Sequence, residues 1–156
     1  MATDDLDRAL ADAERLLLDS STVMAFHSPH EVAHPLAEHV LQRIERETDP
    51  ARGYLSVISL TELLVRPHRT SQARFTYMHE FLINFPNLTI LPMDETVAAQ
   101  AATIRTSMRL ALPDSVVIAS GMLAGCEAIV SNDARWKQRG ARLFPQFRWI
   151  YLNDYL

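Results

Sequence analysis

Four acidic residues of this 156-residue chain stand where a strand is predicted to end or a helix to begin. They are Asp19, Glu62, Asp114 and Asp133. Clustered carboxylates repel one another and resist ionising together, so a divalent cation between them would relieve the repulsion. A ligand set made only of oxygen atoms favours Mg²⁺ or Mn²⁺ over zinc. Such an ion lowers the pKa of a bound water, polarises a phosphate oxygen and aligns in-line attack, so these residues predict phosphodiester hydrolysis.

The stretch that carries the last two acids predicts a helix followed by a strand. Pro113 suits the first position of a helix, and Asp114 then lies in the first turn, at the positive end of the helix dipole. The apolar helix is predicted at Asp114–Ala124, with Gly125 as its left-handed stop. The β-branched run Ala128–Val130 predicts a buried strand that leads directly to Asp133. Ligands of open parallel sheets bind at the carboxyl ends of the strands, where these acids fall.

The first two acids follow strands in the same way. Leu16–Leu18 predicts the first strand, and Asp19 comes directly after it. Tyr54–Ile58 predicts the second strand, followed by Ser59 as a helix cap. Glu62 stands three residues after that serine, which fits a capping box and gives Glu62 a purely structural reason to be present. The capping role and a role as an acid of the site compete for the same side chain.

Helices alternate with strands along the whole chain. The remaining elements are predicted at residues 4–14 (helix), from Pro35 (helix), after Glu62 until Pro67 (helix), 71–84 (helix), Leu88–Leu91 (strand), after Asp94 (helix) and Arg148–Leu152 (edge strand). Alternation of this kind predicts a parallel sheet joined by right-handed crossovers. The length favours one domain over residues 1–156, with residues 1–15 as a helical extension.

Composition limits the cellular setting. Cys126 is the single cysteine, so no disulfide framework exists and a reducing compartment is expected. The acidic N-terminus is the opposite of a signal peptide, and the longest apolar run, residues 115–126, is too short to span a bilayer. We therefore expect a cytoplasmic protein that does not enter a membrane.

The net charge of −4 argues against a broad nucleic-acid-coating surface, but the charge is uneven. Residues 134–153 carry five basic residues and no acid, and a second basic patch contains Arg66, Arg69 and Arg74. Each arginine taken singly is more simply a solvated surface residue. Together they predict a phosphate-contacting rim beside the acids, with Arg66, Arg135 and Lys137 as candidate phosphate contacts.

The order of the motifs resembles a known family. Pro113-Asp114, a helix of small residues, Gly125, a strand and Ser131-Asn132-Asp133 are similar to the second half of a PIN-domain ribonuclease, of which VapC-type toxins are the best-known members. Asp19 and the segment that contains Glu62 resemble the first two acidic motifs of that family. The resemblance runs from Leu16 to the final strand and implies a three-layer α/β/α, Rossmann-like fold with about five parallel strands.

The resemblance also implies roles. Asp19 and Asp114 would bind the Mg²⁺ or Mn²⁺ directly, Asp133 would bind a second ion or orient the water, and Glu62 would complete the acid ring. The side chains expected to hold the carboxylates in place are Ser20, Ser131 and Asn132. The implied reaction is cleavage of single-stranded RNA that leaves a 5′-phosphate. The implied partners are the RNA, a cognate antitoxin that inserts a helix into the acidic pocket, and a second copy of the chain in a homodimer.

Two other classes of function remain open at this stage. The first is a catalytically silent PIN-like module that binds RNA or protein and uses its acids as helix caps. It predicts weak metal binding and little effect of Asp19→Asn. The second is a receiver-type or phosphatase-like domain with Asp19 as phospho-acceptor. That chemistry usually needs a lysine near the site, and the only lysine of the chain is Lys137.

Overall fold

A computed structural model describes residues 2–156, which form a five-stranded parallel sheet between two layers of helices. Met1, the first residue of the predicted extension, lies outside the described residues. The strands are β1 (Arg15–Leu18), β2 (Arg52–Ser56), β3 (Leu88–Leu91), β4 (Ala128–Ser131) and β5 (Arg148–Tyr151). The helices are α1 (Ala2–Leu10), α2 (Ser20–Phe26), α3 (His34–Glu45), α4 (Val57–Thr70), α5 (Gln72–Asn84), α6 (Glu95–Met108), α7 (Leu112–Leu123), α8 (Ala134–Leu143) and a final 3-10 turn, Leu152–Tyr155. The strand order is β3-β2-β1-β4-β5, so the predicted parallel α/β/α fold is confirmed.

Two hydrophobic clusters lie on the two faces of the sheet. The strand pleat sends alternate side chains to opposite faces, so Leu16 and Leu18 join one cluster while Leu17 joins the other. In β4, Val130 and Ile129 divide in the same way. The central strands are therefore buried on both sides, which is why they read as continuous apolar runs in the sequence.

Helix α7 packs very closely on β1. A Cβ atom at Gly121 would come within 2.5 Å of the Leu17 side chain, so any other residue here would force that buried leucine to move. The predicted helix stop is confirmed, because Gly125 has a φ of 73°. α7 also packs against β2, and its first turn, which carries Asp114, lies near Asp19 at the carboxyl edge of the sheet.

The N-terminal helix is shorter than predicted. It ends at Leu10, because Asp12 takes a left-handed φ of 63° and the chain turns toward β1. Ala13 lies in the turn after the helix and is buried in the core. The extension is held by Arg148, which donates hydrogen bonds to the Ala9 and Ala11 carbonyls.

The predictions around α4 were wrong at both ends of the helix. β2 ends at Ser56 rather than Ile58, and Ser56 is the cap, with its hydroxyl accepting from Ile58 N at 3.2 Å. Ser59 is therefore inside the helix, and the capping box does not form. Pro67 does not end the helix, since the Pro67 carbonyl accepts from Ser71 N and α4 continues to Thr70.

No helix within residues 2–156 is long and apolar enough to cross a membrane.

Candidate active site at the carboxyl edge of the sheet

Asp19 is the most buried of the four acids. It follows β1, and its main-chain N–H donates to the Val130 carbonyl at 3.0 Å, which continues the sheet ladder. Oδ1 accepts from Ser20 N at 2.8 Å, while Oδ2 accepts from the hydroxyls of Ser21 at 2.6 Å and Ser131 at 2.9 Å. The residue is only 7% exposed. Burial raises its pKa above the ordinary value, and the hydroxyl donors oppose that rise.

Asp114 lies in the first turn of α7, as the sequence predicts, and its side chain is 23% exposed. Burial raises the pKa of Asp114, and the negative charges of Asp19, Asp133 and Glu62 raise it further. The Arg135 guanidinium, 3.9 Å from Oδ2, opposes the rise. The fold therefore brings the four acids into one electrostatic neighbourhood centred on Asp114.

Asp133 follows β4 and caps α8. Its Oδ1 accepts from Arg135 N at 2.9 Å and from Arg135 Nε at 3.0 Å, and its Oδ2 accepts from Nε at 3.1 Å and Nη2 at 2.5 Å. These hydrogen bonds, first of all that from the guanidinium, lower the pKa of Asp133. Both oxygens of this carboxylate are thus engaged by a single arginine.

Glu62 reaches the site from the second turn of α4, not from its cap. Its Oε2 accepts from the Ser20 hydroxyl at 2.7 Å. Because the capping box is absent, the structural reason that the sequence offered for Glu62 disappears. The hydrogen bond to Ser20 instead links α4 to the start of α2, directly beside Asp19.

A network of hydroxyl groups joins the ends of β1 and β4. The sequence identified Ser20, Ser131 and Asn132 as groups that hold the carboxylates, and it offered Ser21 only as a hydroxyl residue at a helix start. The Ser21 hydroxyl donates to Asp19 and accepts from Asn132 N at 2.9 Å, while the Ser131 hydroxyl accepts from Asp133 N at 3.0 Å. The run Ser20-Ser21-Thr22 was the available signal, because three hydroxyl residues at a helix start exceed what one cap requires.

The donor chemistry fits a hard divalent cation that keeps part of its water shell. Within residues 2–156 no three acidic, histidine or cysteine side chains lie close enough to form a ready-made metal cage. Mg²⁺ is commonly held by only one or two carboxylates together with water and substrate phosphate, so a cage is not required. Asn132 adds an unsatisfied oxygen at this edge, since its Oδ1 is buried without a hydrogen-bond partner.

A cleft of about 620 Å³ opens beside the acids, between α2, α4 and α5. Glu62 and Asn132 line the end nearest the acids. Arg66, one turn after Glu62 on α4, and Arg74, in the first turn of α5, line its wall. Tyr77 contributes an aromatic ring that is 62% exposed. We call this the α2–α4–α5 cleft.

The three candidate phosphate contacts fall in different surroundings. Arg66 lines the α2–α4–α5 cleft, and Arg135 lies among the acids. Lys137 forms an ion pair with Asp154, in the 3-10 turn after β5. This pairing gives no support to the phospho-acceptor hypothesis, which needs a lysine at Asp19.

Comparison with known proteins identifies the family to which this fold and its four acids belong. A family model described as PIN domain matches residues 16–141. No curated protein sequence matches the chain.

Solved structures share the fold at low sequence identity. VapBC2 from Rickettsia felis, bound to a promoter DNA fragment, is 12% identical with a TM-score of 0.64. The match covers 86% of this chain and 96% of the Rickettsia felis chain. VapBC-1 from nontypeable Haemophilus influenzae is 12% identical with a TM-score of 0.65, covering 89% and 98%. The VapC20 toxin of Mycobacterium tuberculosis, described as cleaving the sarcin–ricin loop, is 15% identical with a TM-score of 0.63, covering 80% and 95%.

Proposed function

Because this chain belongs to the PIN domain family, we propose that it is a metal-dependent endoribonuclease that hydrolyses phosphodiester bonds of single-stranded RNA. The observation that carries the proposal is the convergence of Asp19, Glu62, Asp114 and Asp133 at one edge of the sheet, where the charges of the other three raise the pKa of Asp114. Burial is the largest cause of that rise, and a divalent cation bound between the acids would relieve the repulsion that adds to it.

The residues have distinct roles in this proposal. Asp19 and Asp114 would hold a Mg²⁺ or Mn²⁺ ion, which supplies a polarised phosphate and an activated water when bound. Ser21 and Ser131 hold the Asp19 carboxylate by its Oδ2 atom. Support of this kind fixes the orientation of a ligand and strengthens its hold on the ion. Glu62, whose Oε2 accepts from the Ser20 hydroxyl, would complete the ring of acids around the ion.

The α2–α4–α5 cleft supports a single strand as the substrate. Proteins that bind single-stranded nucleic acid combine a basic groove with aromatic rings on which bases stack. Arg66 and Arg74 supply the positive charge, and the exposed Tyr77 ring supplies the stacking surface. The cleft begins at Glu62, so a strand lying in it would lead its next phosphate to the acids.

We propose further that the protein is the toxin of a toxin–antitoxin pair that acts in the cytoplasm. The support is that the Rickettsia felis and Haemophilus influenzae neighbours are VapBC structures and that VapC20 is described as a toxin. The product of an adjacent gene should co-purify with this chain and inhibit it.

A homodimer is also expected, and sedimentation velocity of the purified chain measures it directly.

Calorimetric titration of Mn²⁺ tests the metal site. The parent protein should bind the ion, Asp114→Asn should lose most of that binding, and Asp94→Asn should not. Asp94 is a matched control because it caps α6 by accepting from Val97 N at 2.9 Å, a role that asparagine also fills. Equal binding by all three proteins would mean that Asp114 has a structural role and would favour a catalytically silent PIN-like module. That module is the second candidate, because no three acidic, histidine or cysteine side chains within residues 2–156 form a ready-made metal site.

A sequencing assay tests the reaction without knowledge of the target. The parent protein and Asp19→Asn are incubated with a random-sequence single-stranded RNA pool and Mn²⁺, and new 5′-phosphorylated ends are mapped. Ends produced by the parent alone support the proposal. The same pool annealed to its complement should be spared. Metal binding without new ends, on this pool and on total cellular RNA, would contradict the nuclease.

A further inference from the structure

The geometry around Arg135 divides the four acids into two pairs. The guanidinium engages both oxygens of Asp133, at 2.5 to 3.1 Å, and stands 3.9 Å from Asp114 Oδ2. The main-chain N–H of the same residue holds Asp133 Oδ1 as a helix cap. Asp19 and Glu62, by contrast, accept from hydroxyl and main-chain donors, which carry no net charge.

This difference matters for the number of cations that the site can take. Neutral donors orient a carboxylate and leave its negative charge available to an ion. A guanidinium bound to both oxygens cancels that charge and fills the directions in which the carboxylate would ligate. A second ion held between Asp114 and Asp133 would have to displace Arg135 and would also be repelled by it.

We propose that Arg135 occupies the place of a second divalent cation, so that this site binds a single ion and Arg135 provides the second positive charge for the phosphate. Asp133 then acts as the anchor of Arg135 and not as a metal ligand. The inference rests on the proposed nuclease function, because it concerns the charge presented to the same phosphate. It changes the role of Asp133, which the sequence alone suggests as a ligand.

Arg135 is 57% exposed, and exposed ion pairs are individually weak. Arg135 therefore competes with a second ion for Asp133, and the effect of this competition appears in the number of ions bound and in their affinity. Because Arg135 is exposed, Arg135→Gln removes the positive charge without leaving a cavity in the hydrophobic core. Asp133→Asn keeps an oxygen that can cap α8, so both variants should fold.

The test is titration of the protein with Mn²⁺ alone, read by calorimetry and by electron paramagnetic resonance for spin-coupled ion pairs. The parent should bind about one ion, and Arg135→Gln should bind about two, as in two-metal phosphodiesterase sites. Adding Asp133→Asn to Arg135→Gln should abolish the second ion and the coupled signal. Asp133→Asn alone should keep the first ion with less than about threefold loss of affinity, since Asp133 does not ligate it.

Arg139→Gln is the matched control. Arg139 lies one turn further along α8, and its charge also acts on Asp133, but its guanidinium donates to the Met108 and Arg109 carbonyls. This variant should stay at about one ion, because Arg135 still covers Asp133. If Arg139→Gln also bound a second ion, the loss of any positive charge near the site would be enough to admit it, and the inference would be overturned.

The remaining outcomes separate this inference from the proposed function. Two ions in the parent, or one ion in both the parent and Arg135→Gln, would overturn the single-ion inference and leave the nuclease intact. An ion that binds only after Arg135 is removed would also overturn it, because Arg135 would then block the first position. No ion in any of the proteins would overturn both proposals.

Discussion

Asp19 and Asp133 end neighbouring strands of one sheet and yet sit in opposite environments. β1 and β4 pair in parallel with Leu18 opposite Val130, so both acids leave the sheet at the same edge. Asp19 is almost fully buried among hydroxyl and main-chain donors, and its pKa is raised. Asp133 is 25% exposed and bound by an arginine, and its pKa is lowered.

The difference shows how a protein can hold a carboxylate without using up its charge. Hydroxyl donors fix the position of Asp19 while burial leaves its charge poorly solvated, so a cation that arrives there gains much. An arginine holds Asp133 through both of its oxygens and neutralises its charge before any cation arrives. Position at the end of a strand therefore does not define the role of an acid, and the donors around it do.

The largest expected effect is on ion binding by Asp19→Asn. This change keeps the shape of the side chain and removes its charge, so Mn²⁺ affinity should fall by more than about 100-fold, the upper end for the loss of a group that merely supports a ligand. Asp133→Asn is the matched comparison and should change the affinity very little. Calorimetry on both variants measures the contrast, and equal losses would make the two acids equivalent.

Ser131→Ala should weaken ion binding next most strongly. The Ser131 hydroxyl donates to Asp19 Oδ2 and accepts from Asp133 N, so its removal frees the carboxylate that would ligate the ion. Loss of such a supporting group typically costs about 10- to 100-fold in metal affinity. Ser131→Thr keeps the hydroxyl and should restore most of the binding. If alanine and threonine behave alike, the hydroxyl is not what holds Asp19 for the ion.

Asp114→Asn should stabilise the metal-free protein at neutral pH. Burial and the neighbouring acids raise the folded-state pKa of Asp114 above 3.8, so the folded protein holds this proton more tightly than the unfolded chain does. Stability is therefore lost as pH rises from 3.8 through the folded-state pKa, and asparagine removes that loss. Urea unfolding from pH 3 to 8 should show an advantage of the variant that grows with pH.

The smallest effect is expected for Arg135→Gln on the stability of the metal-free protein. An exposed ion pair contributes at most about 1 kcal/mol, so the free energy of unfolding should fall by no more than that. The pKa of Asp133 is lowered, so this contribution is present above pH 3.8 and is lost as pH falls through the folded-state pKa. Thermal melts should thus show a difference between the two proteins at pH 7 that becomes smaller as the pH is lowered below 3.8. A larger loss would mean that Arg135 has a structural role as well.

The sequence predicts most of the sheet because its strands are buried on both faces. Leu16–Leu18 and Ala128–Val130 are continuous apolar runs, and each is the core of an observed strand. The stop at Gly125 and the cap at Asp94 are also as predicted, since both depend on local chemistry. Errors occur where two local signals compete, as at Ser56 and Ser59, either of which fits a helix cap.

The contacts of the site were less predictable because they join distant parts of the chain. Ser21 reaches both Asp19 and Asn132, and no local pattern specifies the second of these partners. Arg135 stands only two residues after Asp133, but no local pattern specifies that its side chain turns back to that acid and approaches Asp114. The sequence therefore predicts which residues meet at the edge and not which donors each acid receives.

The hydrogen bond from Ser131 to Asp19 has a consequence for the synthesis of the protein on the ribosome. Its two residues are 112 positions apart, so the acid leaves the ribosome long before the hydroxyl that orients it. At about 5–20 residues per second, the delay is about 6–22 s. During that interval the chain has no β4 and no complete site. The proposed site therefore cannot form on a nascent chain before β4 has been synthesised, and stalled nascent chains that lack β4 should bind no Mn²⁺.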